Sequence, residues 1–188
     1  MPIRTFLALD IEEDTRRRLA NVAREMDSPG AKINWVMPAN LHVTLNFLGQ
    51  VPDERAHAVC EIAQAVAGQY EPFEFRVAGI KAMPPHGPLR MIWADVEEPT
   101  GQLIKLQADL SEAFAGLGLR EEARAYKPHI TLARVKFIKD AQRLRDIANQ
   151  YAQQDYGAQH AEDVTIYTSH PGPEGSTYTP IAHAELGQ

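Results

Sequence analysis

Thiol is almost missing from this sequence: Cys60 is the one cysteine in 188 residues. No disulfide can form within the chain, so the core has to be built by packing alone. A lone thiol in a predicted helix fits a reduced compartment, and Cys60 is read as packing rather than chemistry. Long apolar runs are missing too. No stretch of about 18 apolar residues is present to span a bilayer, and the opening MPIRTFLALDIEED lacks the apolar segment of a secretory signal. The expected address is the cytoplasm, without membrane contact. Positive charge is in deficit: 19 Lys and Arg against 25 Asp and Glu give a net charge of −6. That balance excludes an extended basic surface gripping a duplex, and confines any nucleic acid to a few nucleotides read at an end.

What remains is ordinary globular material, 44% hydrophobic and 23% charged, enough for one domain. Phe6 to Ile11 is a short β-type run. Glu12 to Met26 carries Leu19, Val22, Ala23 and Met26 at helical spacing, and Ser28-Pro29-Gly30 stops that helix. Leu41 to Gly49 is a second strand, Asp53 to Ala67 a second helix, and Phe73 to Ile80 a third strand with alternating Phe73, Phe75 and Val77. A proline-rich linker, Met83 to Pro88, precedes a similar series. Met91 to Val96 is a strand, Thr100 to Ala115 a helix, His129 to Val135 a strand, Asp140 to Gln153 a helix and Asp163 to Ser169 a strand. Thr177 to Ala184 adds a terminal strand. Spacings repeat: Phe6 to His42 is 36 residues and Ile92 to His129 is 37, while His42 to Phe75 is 33 and His129 to Val164 is 35. The chain therefore reads as one domain, 1–188, with pseudo-symmetric halves of roughly 1–82 and 89–188.

Each half holds one His-x-Thr strand, LHVTL and PHITL. Side chains alternate faces along a strand, so His42 and Thr44 share one face while Val43 and Leu45 take the other; His129 and Thr131 stand likewise against Ile130 and Leu132. If a pseudo-two-fold relates the halves, two imidazoles and two hydroxyls converge on one cleft. Such a pair suits in-line displacement at phosphorus: one imidazole protonates the leaving oxygen while the other takes a proton from water. The threonine hydroxyls are placed to donate to non-bridging oxygens. Zinc is the rival use of two histidines, but neither strand supplies a third ligand at the right spacing, so no metal and no cofactor are expected.

The blocks RTFLALDI, NLHVTLNFLG, RMIWADV, YKPHITLARV and VTIYTS followed by TYTPI resemble, in order and over nearly the whole chain, the 2H phosphoesterase superfamily. The similarity is to its bacterial RNA 2′,3′-cyclic phosphodiesterase branch, the 2′-5′ RNA ligase-like proteins. The resemblance implies an α+β, duplicated, two-lobed LigT-like fold, with pseudo-two-fold β-sheets flanked by helices around a central cleft. It also implies His42 as proton donor, His129 as proton acceptor, Thr44 and Thr131 as phosphate-binding residues, and Arg134 as a substrate-binding residue. Hydrolysis of a 2′,3′-cyclic phosphate to a 2′-phosphomonoester is the implied reaction, with 2′-5′ ligation as its reverse chemistry. The partner is then an RNA 3′ end or a small cyclic nucleotide, and the protein a monomer.

Strict alternation puts Arg134 on the face opposite His129, so it reaches the cleft only if the strand bends near Ala133. Phe47 has the same parity problem and is expected in the core, as are Trp35 and Trp93, with base stacking open for one tryptophan. Tyr126 and Lys127 are expected to pack or face solvent rather than line the cleft. Arg16-Arg17-Arg18 reads as a solvated face paired with the acidic residues before it, and His57, His86, His160, His170 and His183 as surface histidines. Two other functions stay open: a binding module that holds an RNA end without turning it over, and a phosphodiesterase acting on a small cyclic nucleotide or 2′-5′ oligoadenylate.

Overall fold

A computed structural model of the chain describes residues 3–28, 30–119, 125–172 and 175–187. The first half forms β1 (Ile3–Leu9), α1 (Glu13–Met26), β2 (Lys32–Trp35), β3 (Val43–Val51), α2 (Asp53–Ala67) and β4 (Phe73–Met83). The second forms β5 (Met91–Glu97), α3 (Gln102–Ala115), β6 (His129–Phe137), α4 (Ala141–Gln150), β7 (Asp155–Ala161), β8 (Asp163–Gly172) and β9 (Gly175–Glu185). Pro29, in the predicted helix stop, lies outside the described residues; α1 ends before it, at Met26. Asp140 is the cap of α4 rather than its first turn, its side chain accepting from the Gln142 amide at 3.0 Å, which satisfies one of the free donors at a helix start.

All nine strands join one antiparallel sheet in the order β7-β4-β5-β6-β3-β1-β8-β9, with β2 beside β6. At its middle, β3 and β6 share a single register pair, Val43 with Ile130. That narrow seam divides the sheet into two lobes, β7-β4-β5-β6 and β3-β1-β8-β9. Halves of the sequence and lobes in space are different divisions. The fourth strand of each half crosses over, so β4 pairs with β5 of the second half and β8 pairs with β1 of the first. Helices cross too: α1 packs on β6 and β7, while α3 packs on β3 and α2.

All four helices cover one face of the sheet, and their stripes explain it. In α3, Leu103, Leu106, Leu110 and Phe114 recur on one side and are 2% exposed or less, the spacing of a helix with one apolar face. Beneath them lie Leu7, Leu9, Val43, Ile92, Ala94, Ile130, Val164 and Ile166, all fully or almost fully buried. Each large aliphatic side chain removed from water in this way contributes about 1.5–3 kcal/mol. Among the described residues no α-helix lies on the opposite face, which carries the site.

Because each lobe combines strands of both halves, neither half of the sequence can complete a sheet. Fragments 1–82 and 89–188 are each expected to lack cooperative thermal unfolding alone and to regain it on mixing; a sharp transition in either isolated fragment contradicts the exchange.

Candidate active site

The antiparallel direction of the Val43–Ile130 pair places the neighbours of one strand against those of the other. His42 lies across from Thr131 and Thr44 across from His129, on the helix-free face. Val43 and Ile130 themselves point into the core, both 0% exposed. The expected alternation therefore holds through the two motifs.

It then breaks at the same position in each. Thr44 faces Ala8 and Asn46 faces Leu7, leaving Leu45 as an extra residue; Thr131 faces Trp93 and Ala133 faces Ile92, leaving Leu132 extra. These are β-bulges, in which two residues oppose one and parity resets. Consecutive residues on the bulged strands, Leu45 with Asn46 and Leu132 with Ala133, are all buried. Downstream side chains consequently return to the cleft face. Arg134 pairs with Met91, which shares a face of β5 with Trp93 and Asp95, so the bend that Arg134 needed is present. Phe47 pairs with Phe6 and is 50% exposed, so its expected core position is corrected. Asn46 takes the inward place and donates to Ser111 Oγ of α3 at 2.6 Å.

Both imidazoles are held alike. Nδ1 of His42 donates to the Asn40 carbonyl at 2.6 Å and Nδ1 of His129 to the Lys127 carbonyl at 2.7 Å. A carbonyl only accepts, so Nδ1 keeps its proton in either charge state and Nε2 is the nitrogen left to gain or lose one. Nε2 of His42 lies 2.9 Å from Thr44 Oγ1, whereas Nε2 of His129 has no hydrogen-bond partner among the described residues. Tyr126 packs behind the motif and donates its hydroxyl to the Thr44 carbonyl at 2.8 Å.

Rings surround each histidine. Phe6 stacks on His42 at 5.0 Å, Tyr178 meets it edge-on at 5.5 Å, and Tyr167 stacks on Phe6. A recess of about 210 Å³ opens between His42, Asp10, Asn40, Tyr167 and Tyr178. Across the seam Trp93 lies 4.3 Å from His129 and is only partly buried. Trp93 is thus a wall of the cleft rather than the expected core anchor; its neighbours on the core face, Ile92 and Ala94, take that part.

Sequence reasoning passed over two carboxylates. Asp95 is the register partner of His129, and Asp10 follows Leu9, the partner of Val43, so it stands beside His42. Asp10 accepts from Tyr167 Oη at 2.8 Å and Thr165 Oγ1 at 3.0 Å and pairs with Arg16 at 3.5 Å. Asp95 accepts from Trp93 Nε1 at 3.0 Å and pairs with Lys81. Aligning LALD with IWAD across the two halves was the signal available. Arg16 is corrected as well: its side chain is 14% exposed, and it donates to the carbonyls of Ile11 and Ala39 instead of facing water. His57, in contrast, is solvated beside Glu61, as expected.

Burial pushes both imidazoles below their ordinary value. For His42 this outweighs the Asn40 carbonyl and Asp10, which favour the charged ring, while Arg16 and His129 add to the lowering. For His129 burial again outweighs the Lys127 carbonyl and Asp95, with Arg134 opposing the charge. At neutral pH the cleft thus holds two neutral imidazoles, and an entering anion favours protonation of either.

A duplicated α+β fold with one His-x-Thr strand per half defines a 2H phosphoesterase. The family model for LigT-like phosphoesterases matches the chain twice, over residues 9–93 and 95–178. The RNA 2′,3′-cyclic phosphodiesterase of Methanothermobacter thermautotrophicus is 31% identical over 179 residues, covering 95% of this chain and 96% of that protein. Its namesake from Methanocaldococcus jannaschii is 30% identical, covering 95% and 98%. Among solved structures, TT0787 of Thermus thermophilus gives a TM-score of 0.82 at 25% identity over 98% of both chains. E. coli LigT complexed with 3′-AMP shares the fold, with a TM-score of 0.80 at 24% identity over the full length of both. The chain belongs to the LigT-like phosphoesterase family.

The depressed histidines set a pH dependence of stability. On acidification the unfolded chain binds protons first, near the ordinary imidazole value of about 6.5, so stability present above that pH is lost as pH falls through it toward the folded values. Urea midpoints of the wild type are expected to fall between about pH 7.5 and about pH 5.5, less steeply in His42→Gln and more steeply in Asp10→Asn. Equal slopes in all three proteins contradict the assignment.

Proposed function

We propose that the protein hydrolyses RNA ends carrying a 2′,3′-cyclic phosphate, leaving a 2′-phosphomonoester, with His42 as proton donor and His129 as proton acceptor. One observation carries the reading. Two imidazoles, each with Nδ1 tied to a backbone carbonyl and Nε2 left to exchange protons, stand around the same strand pair of a LigT-like phosphoesterase. Enzymes 30% and 31% identical to this chain are named for that substrate.

His129 Nε2 has no protein acceptor or donor among the described residues and is suited to hold the attacking water. It takes a proton as the water oxygen bonds to phosphorus. His42 takes up a proton at Nε2 from solvent as the anionic phosphate binds; the P–O3′ bond then breaks on the far side and His42 Nε2 gives that proton to the departing 3′ oxygen. Solvent exchange restores both rings. Thr44 and Thr131 donate to non-bridging oxygens, where charge builds in the transition state, and Arg134 supplies a cation beside them. Both carboxylates of the cleft are taken up by protein donors, Asp10 by Thr165, Tyr167 and Arg16, and Asp95 by Trp93 and Lys81, which supports chemistry that runs without a metal. One chain supplies both histidines, so a monomer suffices. Among the described residues no helix is long and apolar enough to cross a membrane.

The test is an oligoribonucleotide ending in 2′,3′-cyclic phosphate, incubated with EDTA present, with the terminal phosphate then identified. Full turnover to a 2′-phosphate is expected. His42→Ala and His129→Ala should each lower kcat by about 10²-fold or more, and Thr44→Val and Thr131→Val by roughly 10–10²-fold. Wild-type rates in either histidine variant, or activity abolished by EDTA, overturn the mechanism. Supplying an RNA with a 5′-hydroxyl in the same assay shows whether the reverse reaction joins ends through a 2′-5′ bond.

A further inference from the structure

The cleft face does not end at Arg134. Beyond it β2 runs beside β6, with Asn34 paired to Arg134 and Lys32 paired to Phe137. Ile33 pairs with Val135, so Lys136 is the extra residue of a further bulge. That shift brings Phe137 back to the face of Arg134, and Phe137 is 52% exposed. A stripe of Arg134, Asn34, Phe137 and Lys32, with exposed Lys136 in the bulge between them, thus leads away from the histidines along β6.

One feature separates this stripe from an ordinary solvated surface. Lys32, Arg134 and Lys136 sit outside ion-pair distance of any carboxylate among the described residues, as do most basic residues of the chain, but here the surrounding sequence also lacks acid. The chain has 25 acidic residues, yet none occurs between Asp27 and Asp53 or between Glu122 and Asp140, the two segments that carry β2, β3 and β6. Negative charge is thus kept off the stripe within a protein whose net charge is −6. Unpaired cations alternating with an exposed ring are what a flexible polyanion with flat bases requires: phosphates meet the cations and a base stacks on the ring. At about 3.3 Å per residue, the eight steps from His129 to Phe137 span roughly 26 Å, room for about three or four extended nucleotides.

We propose that the β2–β6 stripe holds the single-stranded RNA body on the 5′ side of the reacting end, making this an enzyme for RNA ends rather than for cyclic mononucleotides. The inference rests on the cyclic phosphodiesterase reading and names its substrate class. Contacts to phosphates and one ring carry no base code, so the stripe is indifferent to sequence.

The experiment compares kcat/KM for cytidine 2′,3′-cyclic phosphate and for a tetraribonucleotide with the same 3′ end. In the wild type the tetranucleotide should be favoured by about tenfold or more, and the advantage should fall with salt at a log–log slope of about −2, as for three neutralised phosphates of a single strand. The double variant Lys32→Glu, Lys136→Glu and the single variant Phe137→Ala should each erase the advantage while leaving the mononucleotide rate unchanged. Equal kcat/KM for both substrates in the wild type overturns the proposal, as does a variant that slows both substrates alike. If neither substrate is turned over, the reaction assigned above fails by itself. The stripe is then read from fluorescence anisotropy of a labelled, uncleavable tetranucleotide ending in a 3′-phosphate: affinity lost in the double variant upholds it, and unchanged affinity overturns it.

Discussion

A single pair of residues, Val43 on β3 and Ile130 on β6, joins the two lobes of the sheet. Everything at the cleft depends on the direction and narrowness of that junction. Because the strands are antiparallel, each histidine is set beside the threonine of the other motif. Because they pair at one point and then part, the lobes splay, and the helix-free face becomes a cleft rather than a flat surface. Both residues of the pair are completely buried, so the hydrophobic contact that closes the junction is also the one that turns the imidazoles outward. The exchange of β4 and β8 between halves then ties each lobe to the other half of the chain.

Electrostatics in the cleft follow from the same arrangement. Burial disfavours a charged imidazole, and the carbonyls of Asn40 and Lys127 and the carboxylates of Asp10 and Asp95 offset it only in part. The balance leaves both rings neutral until an anion arrives, when the same buried surroundings strengthen its pull on a proton. Each carboxylate is spoken for by protein donors, Thr165 and Tyr167 of β8 for Asp10, and Trp93 of its own strand with Lys81 of β4 for Asp95. They act on the histidines through space, while the backbone carbonyls fix the rings.

Much of this was legible in the residues. Period-two alternation in LHVTL and PHITL put each His with its Thr, and the repeated spacings pointed to the duplication. Helical stripes such as Leu103, Leu106, Leu110 and Phe114 marked the buried faces. What was hidden has physical reasons. A β-bulge leaves no mark in a hydrophobic pattern, since Leu45 and Leu132 are apolar in either parity; Phe47 was therefore placed in the core and Arg134 could not be placed. Trp93 sits in an apolar run, MIWADV, in which alternate residues face opposite sides, so its hydrophobicity concealed its exposure. β2 is four residues long, and β7, DYGAQHA, carries polar residues and Gly157 at a φ of 107°, so neither met the pattern of a strand. Strand exchange is a property of topology, which local spacing does not encode. Arg16 shows the limit of charge patterning: a run of three arginines conceals one whose guanidinium is buried against carbonyls.

The account stands or falls on both histidines serving one phosphate. The direct measurement follows the Cε1–H resonances of His42 and His129 by NMR while inorganic phosphate is titrated in, with each signal assigned by its single substitution. Both resonances should move with one shared dissociation constant, both apparent pKa values should rise from below the ordinary imidazole value, and Thr131→Val should weaken the response of both. Movement of one histidine alone, or two different dissociation constants, would contradict a common site around the Val43–Ile130 pair.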